Sequence, residues 1–229
     1  MNVQFAEPTL ESLDALQSEC LVLTSFVDDR PLRGLAGHVD WRLCGRLSGY
    51  MQADFVDLEL GRALLLPLPG ERIPQRLLLL VGMGRRAEFD GSRFDAVCAA
   101  TFRHLAGLHQ RSVAMALPGR IGLDVALRGA ISGLGQALAN HLPPESILAL
   151  QLTLLEPTEV QRELGEPMRS LTRRLDDHAR SMLGMEADAP VPAPDASERP
   201  TADQASRDWR RGLVRLPPAE PSEGLAGEL

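Results

Sequence analysis

The stretch Arg76–Gly84, RLLLLVGMG, carries five consecutive apolar residues and then Gly-x-Gly. An uninterrupted apolar run of this length, closed by glycines, is the pattern of a strand buried on both faces of a sheet. Such a strand needs helices above and below it. The run therefore predicts an α/β protein, a three-layer αβα sandwich with a largely parallel, mixed sheet. It also raises a nucleotide-binding turn, which the rest of the chain must support or refuse.

Working outward, Glu19–Val27 (ECLVLTSFV) is apolar and rich in β-branched residues. It ends at Asp28-Asp29-Arg30-Pro31, so it reads as a second central strand followed by a loop. Leu35–Met51 places Leu35, Val39, Leu43, Leu47 and Tyr50 at three- and four-residue spacing, which predicts one amphipathic helix. Leu58–Pro67 reads as a strand joined to Gln75–Gly82 by the turn Pro67-Leu68-Pro69-Gly70. Ser92–Leu108 reads as a helix, and Ser112–Leu117 as a short strand closed by Pro118-Gly119. A helix over Leu123–His141, rich in small residues, is expected to pack closely on the sheet and to stop at Pro143-Pro144. Ser146–Leu155 predicts the last strand. Pro157 opens a helix to about Leu183, which Gly165 and Pro167 are expected to divide.

The pattern gives a first domain over 1–183. Beyond it, Ala, Pro, Asp, Glu and Ser dominate, and 184–229 reads as a disordered tail that cannot offset its ordering entropy by apolar burial. Inside the tail, Arg207–Leu216 (RDWRRGLVRL) is different. Tryptophan and arginine are enriched at interface hot spots. Trp209, Arg210, Arg211, Leu213, Val214 and Leu216 are therefore the candidate partner-binding residues, a docking peptide that orders on a protein surface.

All 24 basic residues are arginine, and the net charge is −7. With no lysine, no lysine Schiff base and no lysine phosphate clamp can form. Residues 1–183 hold 19 arginines against 22 acids, and the remainder 5 against 9. Neither part is a basic nucleic-acid footprint, so nucleic acid is not an expected partner. The N-terminus carries no signal-peptide pattern, and no apolar stretch is long enough for a membrane span. Cys20, Cys44 and Cys98 are far apart and sit in apolar contexts. They read as buried thiols in a reducing, cytoplasmic compartment.

Candidate chemistry is sparse. A dinucleotide fingerprint needs a third glycine where Ala87 stands, and a P-loop needs a lysine. His104 and His109 lie five apart, on different helix faces. No Cys, Glu or Asp partner stands at metal-ligand spacing, so no metal and no cofactor are expected. Ser132-Gly133-Leu134-Gly135 lies in a predicted helix rather than a strand-turn-helix elbow. What remains is a crevice at the carboxyl ends of the strands. It would gather Asp28, Asp29 and Arg30 with Gly82, Gly84 and Pro118–Gly119.

The succession Glu19–Val27, Val39–Gly49 (VDWRLCGRLSG), Leu58–Pro67, Arg76–Gly84, Ser92–Leu108 and Ser112–Pro118 resembles the N-terminal domain of the leucyl aminopeptidases, itself similar to the macro domain. RLLLLVGMGRRAEFD looks like that family's strand, valine-glycine-x-glycine and polar loop. Ser170–Leu175 (SLTRRL) looks like its stretch toward the catalytic domain. The family's catalytic domain supplies lysine, aspartate and glutamate ligands for two metal ions and a bicarbonate-holding arginine. None of these is carried over onto this lysine-free chain, and no catalytic residue is assigned. The macro likeness implies ADP-ribose binding, although Leu32–Val39 (LRGLAGHV) lacks the glycine run of those phosphate loops.

The expectation is a non-catalytic, regulatory protein that binds another protein, such as an inhibitor or chaperone-like partner of a separate protease. The alternative is a module for ADP-ribose or a nucleotide-like ligand. A DNA-binding regulator, borrowed from some aminopeptidase relatives, comes third. Self-association is compatible with all three.

Overall fold

The strand read from RLLLLVGMG is β4 (Leu77–Gly82), which lies beside β2 (Cys20–Ser25) within a six-stranded sheet. The coordinates are a computed structural model describing residues 1–68, 73–119 and 127–185. The other strands are β1 (Asn2–Ala6), β3 (Ala63–Pro67), β5 (Ser112–Met115) and β6 (Gln151–Leu155), in the order β1-β6-β5-β2-β4-β3. Every pairing is parallel except β3 with β4. The chain divides into a unit Met1–Ala187 and a second unit Asp188–Leu229. From residue 186 onward, the expected tail and its Trp209–Leu216 segment lie outside the described residues.

Side chains alternate across a strand, so one apolar run feeds two cores. Leu78 and Leu80 of β4 join Leu21 and Leu23 of β2 in one core; Leu79 and Val81 join Cys20 and Val22 in the other. The first core is roofed by α1 (Leu10–Ala15), α2 (Gly34–Arg42) and α3 (Arg46–Gln52), through Leu13, Leu35 and Leu47. The second is roofed by α4 (Gly91–Leu108), α5 (Leu127–His141), α6 (Pro144–Ala149) and α7 (Thr158–Met182), through Phe94, Leu134, Ile147 and Leu164. The expected three-layer αβα sandwich with a largely parallel sheet is what forms.

Several local readings change. The single helix over Leu35–Met51 is two, α2 and α3, with a break at Cys44 (φ 55) and Gly45 (φ 78). Both residues take the left-handed conformation, which ends an α-helix. No side chain at Gly45 caps α3. Asp40, from the preceding helix, does so instead: its Oδ1 accepts from the Leu47 and Ser48 amides at 2.8 and 3.1 Å. The break also leaves Cys44 exposed rather than buried.

The strand expected over Leu58–Pro67 begins only at Ala63, and the proposed turn at Pro69-Gly70 falls outside the described residues. Ser146–Leu155 is not one strand. Pro144 takes the first position of α6, where a missing N–H is harmless, and β6 starts at Gln151. Pro143-Pro144 therefore starts a helix as well as following one. Helix α7 runs unbroken through Gly165 and Pro167 for 25 residues. Leu164, Met168, Leu171, Leu175 and Ala179 form one buried stripe on both sides of the proline, and this packing holds the two halves in line. β1 and α1 were not foreseen. Their short, mixed patterns gave no periodic signal.

The small residues of α5 do serve close packing, but against helices rather than the sheet. A side chain at Gly133 would strike Asp95 of α4, and one at Gly135 would meet Leu171 of α7 at 2.5 Å.

The cysteines supply a direct test of the burial pattern. Desolvation pushes the Cys20 and Cys98 thiols up to about 12, so neither forms appreciable thiolate at neutral or mildly alkaline pH. At mildly alkaline pH a thiol reagent should therefore label the native protein once, at Cys44, and three times after denaturation. Labelling of Cys20 or Cys98 in the native protein at the rate of Cys44 would contradict this arrangement.

Candidate functional site

Parallel strands deliver their loops to one end of the sheet. The carboxyl ends of β2, β4, β5 and β6 surround a crevice of about 120 Å³. It lies where β2 has β4 on one side and β5 on the other, the kind of place at which open α/β sheets hold ligands. Its floor is apolar, with Val22, Leu35, Ala36 and Met83.

One wall is an aromatic and arginine stack. Phe26, just past β2, meets Phe89 edge to face at 5.2 Å, and the Arg86 guanidinium lies 4.4 Å over the Phe26 ring. Gly119 (φ 68) closes this wall, because a side chain there would run into the Phe89 ring. Asp29 is buried, and its Oδ1 accepts from Arg86 Nη2 at 2.7 Å and has Arg33 Nε at 3.8 Å. Glu156, directly after β6, is buried at the opposite end of the crevice and accepts the Leu117 amide at 2.7 Å. Helix α2 begins at the mouth. Its N-cap, Arg33, supplies no side-chain cap to the first amides, and Leu35 and Ala36 of its first turn line the crevice.

Of the residues singled out from sequence, Asp29 lines this crevice and so does Gly119. Asp28 is exposed on the adjoining loop. Its carboxylate accepts the Arg86 amide at 3.0 Å, and that bond holds its pKa below the ordinary carboxylate value. Arg30 points away, donating to the Met51 carbonyl at 3.4 Å at the end of α3. Gly82 and Gly84 lie behind the crevice, and Met83 between them is what reaches it.

Their role is a chain crossing. The Gly84 amide donates to the Leu58 carbonyl at 3.1 Å, and its carbonyl accepts from Val27 at 3.0 Å. A side chain at Gly82 would sit on the Leu58 carbonyl, and Gly84 needs φ 70. The glycines thus let segment 58–61 pass tightly over the end of β4. Arg86, Phe26 and Glu156 were not foreseen as site residues. The available signal was weak: each stands within a few residues of a strand end and of a Pro or Gly. Among the described residues, no cluster of three or more His, Cys, Asp or Glu is placed to hold a metal ion, and no helix is long and apolar enough to cross a membrane.

Comparison with known proteins gives a family and a fold. A family model described as cytosol aminopeptidase family, N-terminal domain, matches residues 22–141. Among solved structures, the macrodomain of Thermus aquaticus DarG superposes with TM-score 0.52 at 16% identity, over 68% of this chain and 98% of that one. A Trypanosoma brucei macrodomain in complex with ADP-ribose gives 0.51 at 16% identity, over 69% of this chain and 65% of that one. A tomato leucine aminopeptidase mutant gives 0.48 at 16% identity; the match covers 80% of this chain and 36% of the tomato protein. No curated protein matches the sequence.

The crossing at Gly82 generates a contrast between glycines. Gly82→Ala should destabilise the fold by about 1–3 kcal/mol, because backbone rather than a yielding side chain occupies the space. Gly91→Ala, at the open start of α4, should leave stability equal or slightly raised. Urea denaturation of both variants checks the pair, and equal midpoints would sink the crossing argument.

Proposed function

The chain belongs to the cytosol aminopeptidase family as a form of its N-terminal domain, and from that membership we propose that it is a binding module whose ligand site is the crevice at the carboxyl ends of β2, β4, β5 and β6. The ligand class is a nucleoside diphosphate, with ADP-ribose as the first candidate. The observation that carries this reading is the start of α2, whose first amides have no side-chain cap beside Arg33 and Arg86. A helix N-terminus with unsatisfied amides favours an anion. Arg33 and Arg86 both stand beside Asp29 at this end of the crevice.

Glu156, buried in the same crevice, accepts the Leu117 amide. A nucleoside diphosphate carries the anionic centre that the start of α2 favours. The apolar floor suits a ring face. Pockets that enclose whole drug-sized ligands run to roughly 300–1,000 Å³. At about 120 Å³ the crevice admits one end of such a molecule, and the rest lies across the mouth. The fold shared with a macrodomain that binds ADP-ribose supports this choice of candidate. The buried thiols of Cys20 and Cys98 fit a reducing, cytoplasmic setting. No step of chemistry is assigned to these residues, and the proposed role is non-catalytic.

Titration calorimetry with ADP-ribose and ADP tests the reading. The expected result is binding that weakens about tenfold in Arg33→Ala, as befits loss of one charge-assisted contact. Arg33 is exposed, so the fold should not suffer. An absence of heat with both ligands would overturn the proposal.

A second reading keeps a protein partner. The Trp209–Leu216 segment suits a docking peptide by composition alone, and a separate protease is the partner class that family membership suggests. A pull-down from the native cell with the whole chain and with residues 184–229 removed decides it. Equal capture by both would remove the tail from any such role.

A further inference from the structure

We propose that β3 is an interface strand, which pairs antiparallel with β3 of a second copy of this chain. β3 closes one side of the sheet, beyond β4. The hydrogen bonds around it define which backbone groups face outward. Gly82 N–H donates to the Arg62 carbonyl, and Leu68 N–H to the Arg76 carbonyl. With Leu64 opposite Leu80 and Leu66 opposite Leu78, the even-numbered residues bond to β4. Ala63, Leu65 and Pro67 therefore turn their backbone groups away from the sheet. That row offers two N–H donors, at Ala63 and Leu65, and three carbonyl acceptors. None of them has a partner strand among the described residues.

This row is self-complementary. A two-fold axis through Leu65 lets each Leu65 exchange both of its bonds with Leu65 of the second copy. Each Ala63 N–H then meets the Pro67 carbonyl of the other copy. Pro67 has no N–H, and in this register only the Ala63 carbonyls lack a donor. The charge pattern favours the same occupant. Self-pairing sets every residue against a counterpart from an identical strand, and like charges facing each other are unfavourable. ALLLP contains no charge, and Arg62 falls opposite Leu68, so no such clash arises.

Sheet edges that stay unpaired are usually protected by charged residues, bulges or a prolonged cover. Within β3 only the terminal proline breaks the row of donors. Leu65, at the middle of the strand, is 40% exposed. On one sheet face the axis brings the two Leu65 side chains together. The opposite edge, β1, alternates instead with Asn2 and Gln4. A lasting interface covers about 800 Å² on each partner. A five-residue strand pair with a few flanking side chains falls short of that, so the dimer forms reversibly with concentration.

The test is sedimentation equilibrium on the full chain, without ligand, from micromolar to millimolar protein. The expected result is a weight-average mass that doubles across this range. Leu65→Arg places two guanidinium groups face to face and should hold the mass at that of the monomer. Ala63→Pro removes an outward N–H that β4 does not use, and should shift the association at least tenfold toward monomer. Circular dichroism melts of both variants, at low concentration, should match the parent and so separate dissociation from unfolding. A monomer at every concentration, including one that pairs β3 with some other protein, would overturn the proposal. So would a dimer that survives both substitutions.

Discussion

Two-sided burial at β2 and β4 is the constraint on which this structure depends. A strand whose alternate side chains enter two separate cores cannot shift by one residue without exchanging their contents. It also cannot persist unless both roofs form. Helices α1–α3 and α4–α7 therefore follow from the apolar run at Leu77–Val81 as a physical requirement. The loops that connect strands to roofs must then emerge at the carboxyl end of the sheet. The crevice is a by-product of the packing that buries Leu79 and Leu80.

The layers were legible because burial writes its period into the sequence. The continuous run of β4, the apolar β2 and the spaced residues of α4 all keep a regular pattern. What escaped notice has a different origin. Asp40 closes α3 from another helix, an arrangement that no local window contains. Pro167 looked like a break because the energetic penalty of a proline is local. The stripe of leucines and methionine that outweighs it acts through tertiary contacts. Propensity spoke correctly about each residue and was overruled by its neighbours.

The site was legible to a lesser degree. Asp29 could be chosen because acidic residues at a strand end are conspicuous, and the fold places it in the crevice. Arg86 reaches the same place from another loop and becomes part of the site only through Phe26 and Asp29. The glycines of VGMG attracted attention for the wrong property. Their freedom is used to let one backbone pass over another. The general lesson is that glycine marks proximity, and the sequence does not say whether the neighbour is a ligand or the chain itself.

The position of β1 has a consequence for how this protein is made. Asn2 lies opposite Gln151, and Ala6 opposite Leu155, so among the described residues β1 pairs with β6 alone, far along the chain. Until β6 is synthesised, the early strand has no neighbour in the sheet, and β2 awaits both β4 and β5. Contacts this distant in sequence close slowly and keep apolar surface uncovered meanwhile. Assembly of the sheet outward from β2 and β4 leaves β1 to dock once β6 is in place. The order of strands in space is thus also a schedule in time.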